Sequence, residues 1–454
     1  MMAQIDRTLF KAYDVRSTVD KLTPQAAYYI GRAAGTMAVR AGHTRFAVGR
    51  DGRLSSPVLA DQLIKGLVEC GLHVLDLGLA ATPMMYYAAL YRADGCGAVV
   101  TGSHNPPDYN GIKIMDGGVT VGDARLAGLA DLIEAEDFVT AVGKVEPLII
   151  ATDYINGVCE QNVLAKPLTV VIDCGNGAPG AFAPQLYRQL GCHVIELFCE
   201  VDGHFPNHHP DPQVAANLVD LQAAVAAHNA DVGLAFDGDG DRLGVVTRSG
   251  RTVPGDRILM LFAADCLKAQ PGGHVLYDVK SSRAVSAWVE ELGGTSEAIA
   301  TGHTHMKKRL KETGALVAGE LSGHLAFGQW KFDDGLYAGA RIARMIAGGV
   351  DLDQLLDDMP QYQSSPEVQV HVDEDGHSVV RRIATTAQFP TAKEIITIDG
   401  LRIEYADGFG LIRASNTTPV LTLRFEAETP EALARIRNEI KAAIAPLQWP
   451  EDAA

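Results

Sequence analysis

Three stretches of the chain repeat one plan: strand, polar loop, helix, glycine, strand, and later a third strand ending in a loop of chemistry-bearing side chains. The first copy runs Phe46-Ala-Val-Gly-Arg-Asp-Gly-Arg53, a helix from Val58 to Cys70, Gly71 and Leu72-His-Val-Leu-Asp-Leu77. Its third strand, Gly97-Ala-Val-Val100, leads into Thr101-Gly-Ser-His-Asn-Pro-Pro-Asp-Tyr-Asn-Gly-Ile-Lys113. The second copy begins with Thr169 to Cys174 and Gly175-Asn-Gly177, continues through a helix to Leu190, Gly191 and Cys192 to Leu197, and ends with Asp231 to Phe236 before Asp237-Gly-Asp-Gly-Asp-Arg242. The third has His274 to Val279, Lys280-Ser-Ser282, a helix to Leu292, Gly293-Gly294 and Thr295 to Ala300, and its Ala315 to Ala318 strand runs into Gly319-Glu-Leu-Ser-Gly-His324. Strands alternating with helices in this way predict α/β domains, each with a mixed or mainly parallel sheet and right-handed crossovers. Ligands of such sheets bind beyond the carboxyl ends of the strands. The loops at Ser103, Asp237 and Glu320 are therefore expected to converge on one central cleft.

The chain's last part reads differently. After the linker-like Gln361-Tyr-Gln-Ser-Ser-Pro366, strand alternation at Val368 to Val372, a helix around Ser378 to Gln388, strands near Glu394 to Ile403, Gly410 to Arg413 and Val420 to Ala427, and a helix from Pro430 to Ile444 predict a small α+β domain with an antiparallel sheet. A chain of 454 residues exceeds one ordinary core. The expected division is three α/β domains over residues 1–150, 151–252 and 253–364, and the α+β domain over 365–454.

A net charge of −17 argues against general nucleic-acid binding and against anionic membrane surfaces, so a phosphorylated substrate would need a local basic cluster. No run approaches the length of a signal core or a membrane span, and a cytoplasmic protein is expected. The seven cysteines are scattered without a Cys-x-x-Cys pair, which suggests neither a disulfide framework nor a zinc site.

The loops carry the chemistry. Ser103, between Gly102 and His104, stiffened by Pro106 and Pro107 and followed by the turn signal Asn110-Gly111, reads as an exposed nucleophile at a strand end, or as an ordinary turn whose serine bonds its own backbone. Asp237, Asp239 and Asp241 alternate with glycines, so one tight loop can turn all three carboxylates to a hard cation. An EF-hand is excluded, because Arg242 and Arg248 stand where that loop needs glycine and glutamate. An aspartyl-phosphate loop usually follows its domain's first strand, whereas this one follows a late strand. Glu320 and Ser322 offer a carboxylate and a hydroxyl two residues apart, suited to neighbouring sugar hydroxyls, with Gly319 and Gly323 permitting close approach. Leu411-Ile-Arg413-Ala-Ser415-Asn-Thr-Thr-Pro419 sets a guanidinium beside small donors, a phosphate cradle or a plain turn.

Taken in order, Thr101-Gly-Ser-His-Asn-Pro106 with Asn110-Gly-x-Lys113, Asp237-Gly-Asp-Gly-Asp-Arg242, Gly319-Glu-Leu-Ser-Gly-His324 and Arg413-Ala-Ser-Asn-Thr417 resemble the four active-site loops of the α-D-phosphohexomutases, over nearly the whole chain. The resemblance implies a phosphoserine at Ser103, and Mg²⁺ held by Asp237, Asp239, Asp241 and the Ser103 phosphate. It implies catalytic roles for His104, Lys113 and Arg16, and sugar-phosphate contacts from Tyr13, Arg242, Lys280, His303, Glu320, Ser322, Gly323, His324, Arg413, Ser415, Asn416 and Thr417. Ser17 stands where the family's N-terminal Tyr-Asp-x-Arg-Gly stretch has glycine. The implied activity is a monomeric mutase acting on small sugar phosphates, interconverting hexose 1- and 6-phosphates of mannose or glucose through a hexose 1,6-bisphosphate, with the fourth domain closing on the cleft. The phosphoglucosamine mutases, which more often carry Ser-Gly-Thr-Glu in the phosphate loop, are the alternative within the family. A metal-dependent serine phosphatase and a non-catalytic sugar-phosphate-binding protein are the alternatives outside it.

Overall fold

The computed structural model describes residues 5–414, 420–445, 447 and 449. In the first unit Arg45–Arg50, His73–Leu79 and Gly97–Val100 are parallel, and a fourth strand, Tyr109–Asp116, lies antiparallel beside the third, in the spatial order fourth, third, first, second. The second unit repeats that order with Thr169–Asp173, His193–Leu197, Val232–Phe236 and Leu243–Thr247. So does the third, with His274–Asp278, Thr295–Ile299, Val317–Gly319 and Leu325–Phe327. The loops at Ser103, Asp237 and Glu320 all join the third strand to the antiparallel fourth. Three copies of one topology thus present their loops at the same sheet end.

Alternation along the strands explains how the units hold together. Successive side chains of a strand face opposite sides. Ala47, Val170, Ile172, Val275 and Tyr277 enter one buried cluster that runs through all three units. Their neighbours face separate cores instead: Phe46 and Val48 in the first unit, Val171 in the second, Leu276 in the third.

Where the units meet, Trp330 stacks on Tyr337 with centroids 4.5 Å apart, and Tyr87 and Tyr154 pack against the same indole. The buried Asp334 caps the helix Gly335–Ala347 by accepting from Tyr337 N at 2.9 Å, and it also accepts from Trp330 Nε1 at 2.7 Å and Tyr154 Oη at 2.8 Å. Removing that acceptor strands three donors away from water. Asp334→Ala should therefore cost about 3 kcal/mol or more of stability, read as a lower Tm of the calorimetric transition of this region, with Ser103 chemistry intact below it.

The fourth sheet is antiparallel throughout, ordered Gln363–Ser364, Val420–Ala427, Gly408–Ala414, Leu401–Glu404, Glu394–Ile396, with Val368–His371 also on Val420–Ala427. Two readings are corrected here. The linker-like Gln361 to Pro366 contains a strand, because Gln363 and Ser364 pair with Ala427 and Glu426. Asn110-Gly111 is not a turn but the start of the strand Tyr109–Asp116, since the strand Val15–Thr18 pairs there, Ser17 with Asn110 and Arg16 with Gly111. Among the described residues no helix is long and apolar enough to cross a membrane.

Candidate active site

Ser103 is buried, not exposed as its loop composition suggests, because the Asp237 loop covers it, and it holds φ +49, a left-handed backbone that a serine keeps only where its surroundings impose it. Those surroundings are specific. Arg53 donates to the carbonyls of Ser103 at 2.8 Å, Asn105 at 2.5 Å, Pro106 at 2.5 Å and Tyr109 at 3.0 Å. Asp51 accepts from Gly102 N at 3.1 Å and lies 3.2 Å from Arg53 Nε, and Thr101 Oγ1 accepts from Ser103 N at 2.8 Å. Gly102 is needed for this clamp, since a Cβ there would lie 2.3 Å from Arg53 Nε. Arg16 adds bonds to Gly102 O at 2.5 Å and Asn105 Oδ1 at 2.7 Å. Arg53 is thus a positioning residue. A lysine reaches one or two of those carbonyls but cannot fork across four, so Arg53→Lys should lower kcat about 100-fold through misplacement of Ser103, with KM nearly unchanged in steady-state assays.

The second loop meets Ser103 directly. Ser103 Oγ donates to Asp237 Oδ2 at 2.8 Å, and a Cβ at Gly238 would come within 2.4 Å of Ser103 O. Asp237 Oδ1 accepts the amides of Gly240 and Arg242. Lys113 Nζ bridges Asp239 Oδ2 at 2.7 Å and Asp241 Oδ2 at 2.5 Å, and Thr82 Oγ1 donates to Asp239 at 2.5 Å. Burial opposes the Lys113 charge, but Asp239 and Asp241 outweigh it and hold the ammonium above its ordinary range. Of the other oxygens, Asp239 Oδ1 is buried without a hydrogen-bond partner among the described residues, and Asp241 Oδ1 has only the His324 imidazole, 3.3 Å away. One oxygen from each of the three aspartates lies within 4.8 Å of the others. Burial, and then the charges of Asp239 and Asp241, push the Asp237 carboxyl well above its ordinary range. Crowded carboxylates with an unsatisfied oxygen fit a hard, oxygen-seeking divalent cation.

The third loop closes against the second by backbone pairing. Arg242 and His324 form an antiparallel bridge, and Leu243 N donates to Gly323 O at 3.1 Å. Gly323 holds φ +86, with room for no Cβ beside Gln213. Glu320 accepts from Gly302 N at 2.6 Å and Ser322 Oγ at 2.8 Å. His324 lies 3.3 Å from both Glu320 Oε2 and Asp241 Oδ1. Although burial opposes its charge, Asp241 raises the His324 imidazole to about 9. His303 stacks on His324 with centroids 5.7 Å apart, and its Nδ1 is 2.9 Å from Lys307 Nζ, which also bonds Asp333 Oδ1 and Tyr86 Oη.

The fourth domain reaches this group through Arg413, which donates to Asp399 at 2.7 Å and lies 3.5 Å from Tyr13 Oη. Asp399 accepts from Thr301 N, and Tyr13 Oη donates to Thr301 O at 2.7 Å. Tyr13, Thr301 and Arg413 therefore tie the first, third and fourth domains together around the Glu320 loop. Lys280 Nζ sits 3.4 Å from Glu367, at the junction of the third and fourth domains. Ser415, Asn416 and Thr417 lie outside the described residues. Sequence reasoning missed Asp51, Arg53, Thr82, Lys307 and Asp333. For the first two a signal existed: Gly-Arg-Asp-Gly-Arg53 follows the first strand of its unit, where the sheet presents ligand loops.

Comparison with known proteins agrees with this architecture. Residues 7–140, 152–250, 254–362 and 349–443 match the four phosphoglucomutase/phosphomannomutase domain models, alpha/beta/alpha domains I, II and III and the C-terminal domain. A phosphoglucomutase of Neisseria gonorrhoeae is 50% identical over 459 residues, covering 99% of this chain and all of the relative. A phosphomannomutase/phosphoglucomutase of Pseudomonas aeruginosa PAO1 is 48% identical over 98% of this chain and 97% of its own. The crystal structure of a phosphoglucomutase/phosphomannomutase family protein from Burkholderia thailandensis superposes with a TM-score of 0.93 at 44% identity, over 98% of this chain and all of that one.

Proposed function

The chain belongs to the phosphoglucomutase/phosphomannomutase family, and from that premise we propose that it is an isomerase that moves a phosphoryl group between O1 and O6 of a hexose, by way of Ser103. The observation that carries this reading is the Ser103 hydroxyl 2.8 Å from Asp237, beside the buried and unsatisfied Asp239 Oδ1. In the working enzyme Ser103 carries a phosphoryl group. A free hydroxyl of the bound hexose monophosphate forms a bond to phosphorus as the bond to Ser103 Oγ breaks, and the proton lost by the sugar is matched by one gained at Oγ. His104, whose Nδ1 lies 3.3 Å from Ser103 Oγ, is placed to hand over that proton and take it back. The hexose 1,6-bisphosphate turns over, and Ser103 Oγ attacks its other phosphorus to release the isomeric monophosphate.

Mg²⁺ held by Asp237, Asp239, Asp241 and a phosphate oxygen on Ser103 would draw off charge developing on the transferred group. Lys113 and Arg16 keep fixed positive charge beside the same loop. Glu320, Ser322 and His324, with the backbone of Gly323, receive the sugar hydroxyls. Tyr13, Arg242, Lys280, His303 and Arg413, with Ser415, Asn416 and Thr417, receive the distal phosphate. These recognition groups must serve two orientations of one sugar, which a phosphatase does not require.

The test is turnover of glucose 1-phosphate, mannose 1-phosphate and glucosamine 1-phosphate with Mg²⁺ and a trace of glucose 1,6-bisphosphate, with free phosphate monitored. Isomerisation of both the glucose and mannose esters is expected. Phosphate release without isomerisation would replace this reading by a phosphatase.

A further inference from the structure

Away from the catalytic loops, a cavity of about 1020 Å³ opens between the first and third units. Its volume stands at the upper limit of ordinary ligand pockets, about 300–1000 Å³, and exceeds what a hexose phosphate fills. One wall is apolar, with Leu90 and Met115 from the first unit facing Leu310 and Leu316 from the third. The charge is lopsided: Lys307, Lys308, Lys311, Lys331 and Arg341 face only Asp94 and Glu312, in a chain of net charge −17.

Both acids are already engaged. Asp94 accepts the amides of Thr44 and Arg45 and the Thr44 hydroxyl, and Glu312 lies between Lys308 and Arg309. Lys307 is committed to Asp333, and Arg341 to Asp265. Lys311 and Lys331 are exposed and have no carboxylate partner among the described residues. Lys331 also holds φ +76, a left-handed conformation that lysine adopts at a cost. Two lining residues, Thr120 and Arg341, are buried and carry polar atoms, Oγ1 and Nε, without a hydrogen-bond partner among the described residues. Buried donors are rarely left so unless water or a ligand completes them.

We propose that this cavity is a second binding site, for an amphiphilic phosphorylated molecule of the nucleoside diphosphate class. Its phosphates meet Lys311 and Lys331, and the flat face of its base lies against Leu90, Met115, Leu310 and Leu316.

The probe is N-methylanthraniloyl-ADP, titrated into the full chain by fluorescence with glucose 1,6-bisphosphate saturating the catalytic cleft. Saturable binding that the bisphosphate does not displace is expected. It should weaken about tenfold or more in the double variant Lys311→Ala/Lys331→Ala, whose exposed positions leave the fold alone. Ala269→Trp, at another exposed lining position, should block the cavity and give the same loss. Absence of saturable binding, displacement by the bisphosphate, or wild-type affinity in both variants would overturn the proposal. So would competition by inorganic phosphate as effective as that by ADP, which would leave the apolar wall no part in binding.

Discussion

Ser103→Ala is expected to lower kcat for hexose phosphate isomerisation on the order of 10⁴-fold or more, while the enzyme still binds hexose phosphates. On the proposed mechanism the change removes the one oxygen that accepts and returns the phosphoryl group. Its neighbours are His104, the proposed proton carrier, and Asp237, its hydrogen-bond partner in the proposed metal loop. The fold should tolerate the loss, because the loop is held by Arg53, Arg16 and Asp51 through backbone atoms and not through the hydroxyl. Incubation with ³²P-labelled glucose 1,6-bisphosphate, followed by denaturation, reads the chemistry without turnover: wild-type chain retains label and the alanine variant does not. A variant that retained both label and rate would move the nucleophile elsewhere.

Neutralising the metal loop should have a comparable effect by another route. Asp239→Asn and Asp241→Asn each keep the side-chain shape but remove a charge and a ligand oxygen. Each should cost on the order of 10³-fold in kcat, and chelation of the wild type should do the same until Mg²⁺ is restored. A second readout separates metal binding from catalysis. A cation that binds only the folded chain raises its Tm with concentration, so Mg²⁺ should stabilise the wild type and leave both variants unmoved. Lys113 sharpens the expectation, since in each variant the ammonium keeps one of its two carboxylate partners. If Mg²⁺ shifted the melting of Asp241→Asn as it does the wild type, the ion would sit elsewhere.

Much of this was legible because the repeat is short-range. Strand, glycine and helix boundaries recur at similar spacing three times, and the catalytic loops follow the third strand of each copy. The fourth strand of each unit was not legible as a recurring part. Its pairing is decided by a neighbour and not by its own sequence: Asn110 and Gly111 carry a turn signal, yet pairing with Val15–Thr18 draws them into a strand. The same holds for the site. Ser103 and the aspartates stand out because glycine and proline mark their loop. Arg53 and Lys307 act across 50 residues and more, Arg53 on the Ser103 carbonyl and Lys307 on Tyr86. The first sheet brings Arg53 to Ser103 across its own strands, and only docking of the first and third units brings Lys307 to Tyr86.

The three loops of the proposed site belong to three separately hydrogen-bonded sheets, so the site is incomplete when any one unit has folded alone. Refolding should therefore be staged. Far-UV ellipticity would return as each sheet closes its mostly local crossovers, and isomerase activity would lag until the units dock. That last step is unimolecular, so its lag should not change with protein concentration. The bridge of Arg242 to His324 and the contact of Ser103 with Asp237 form only then. A chain halted just before docking would look nearly native to circular dichroism and be catalytically silent.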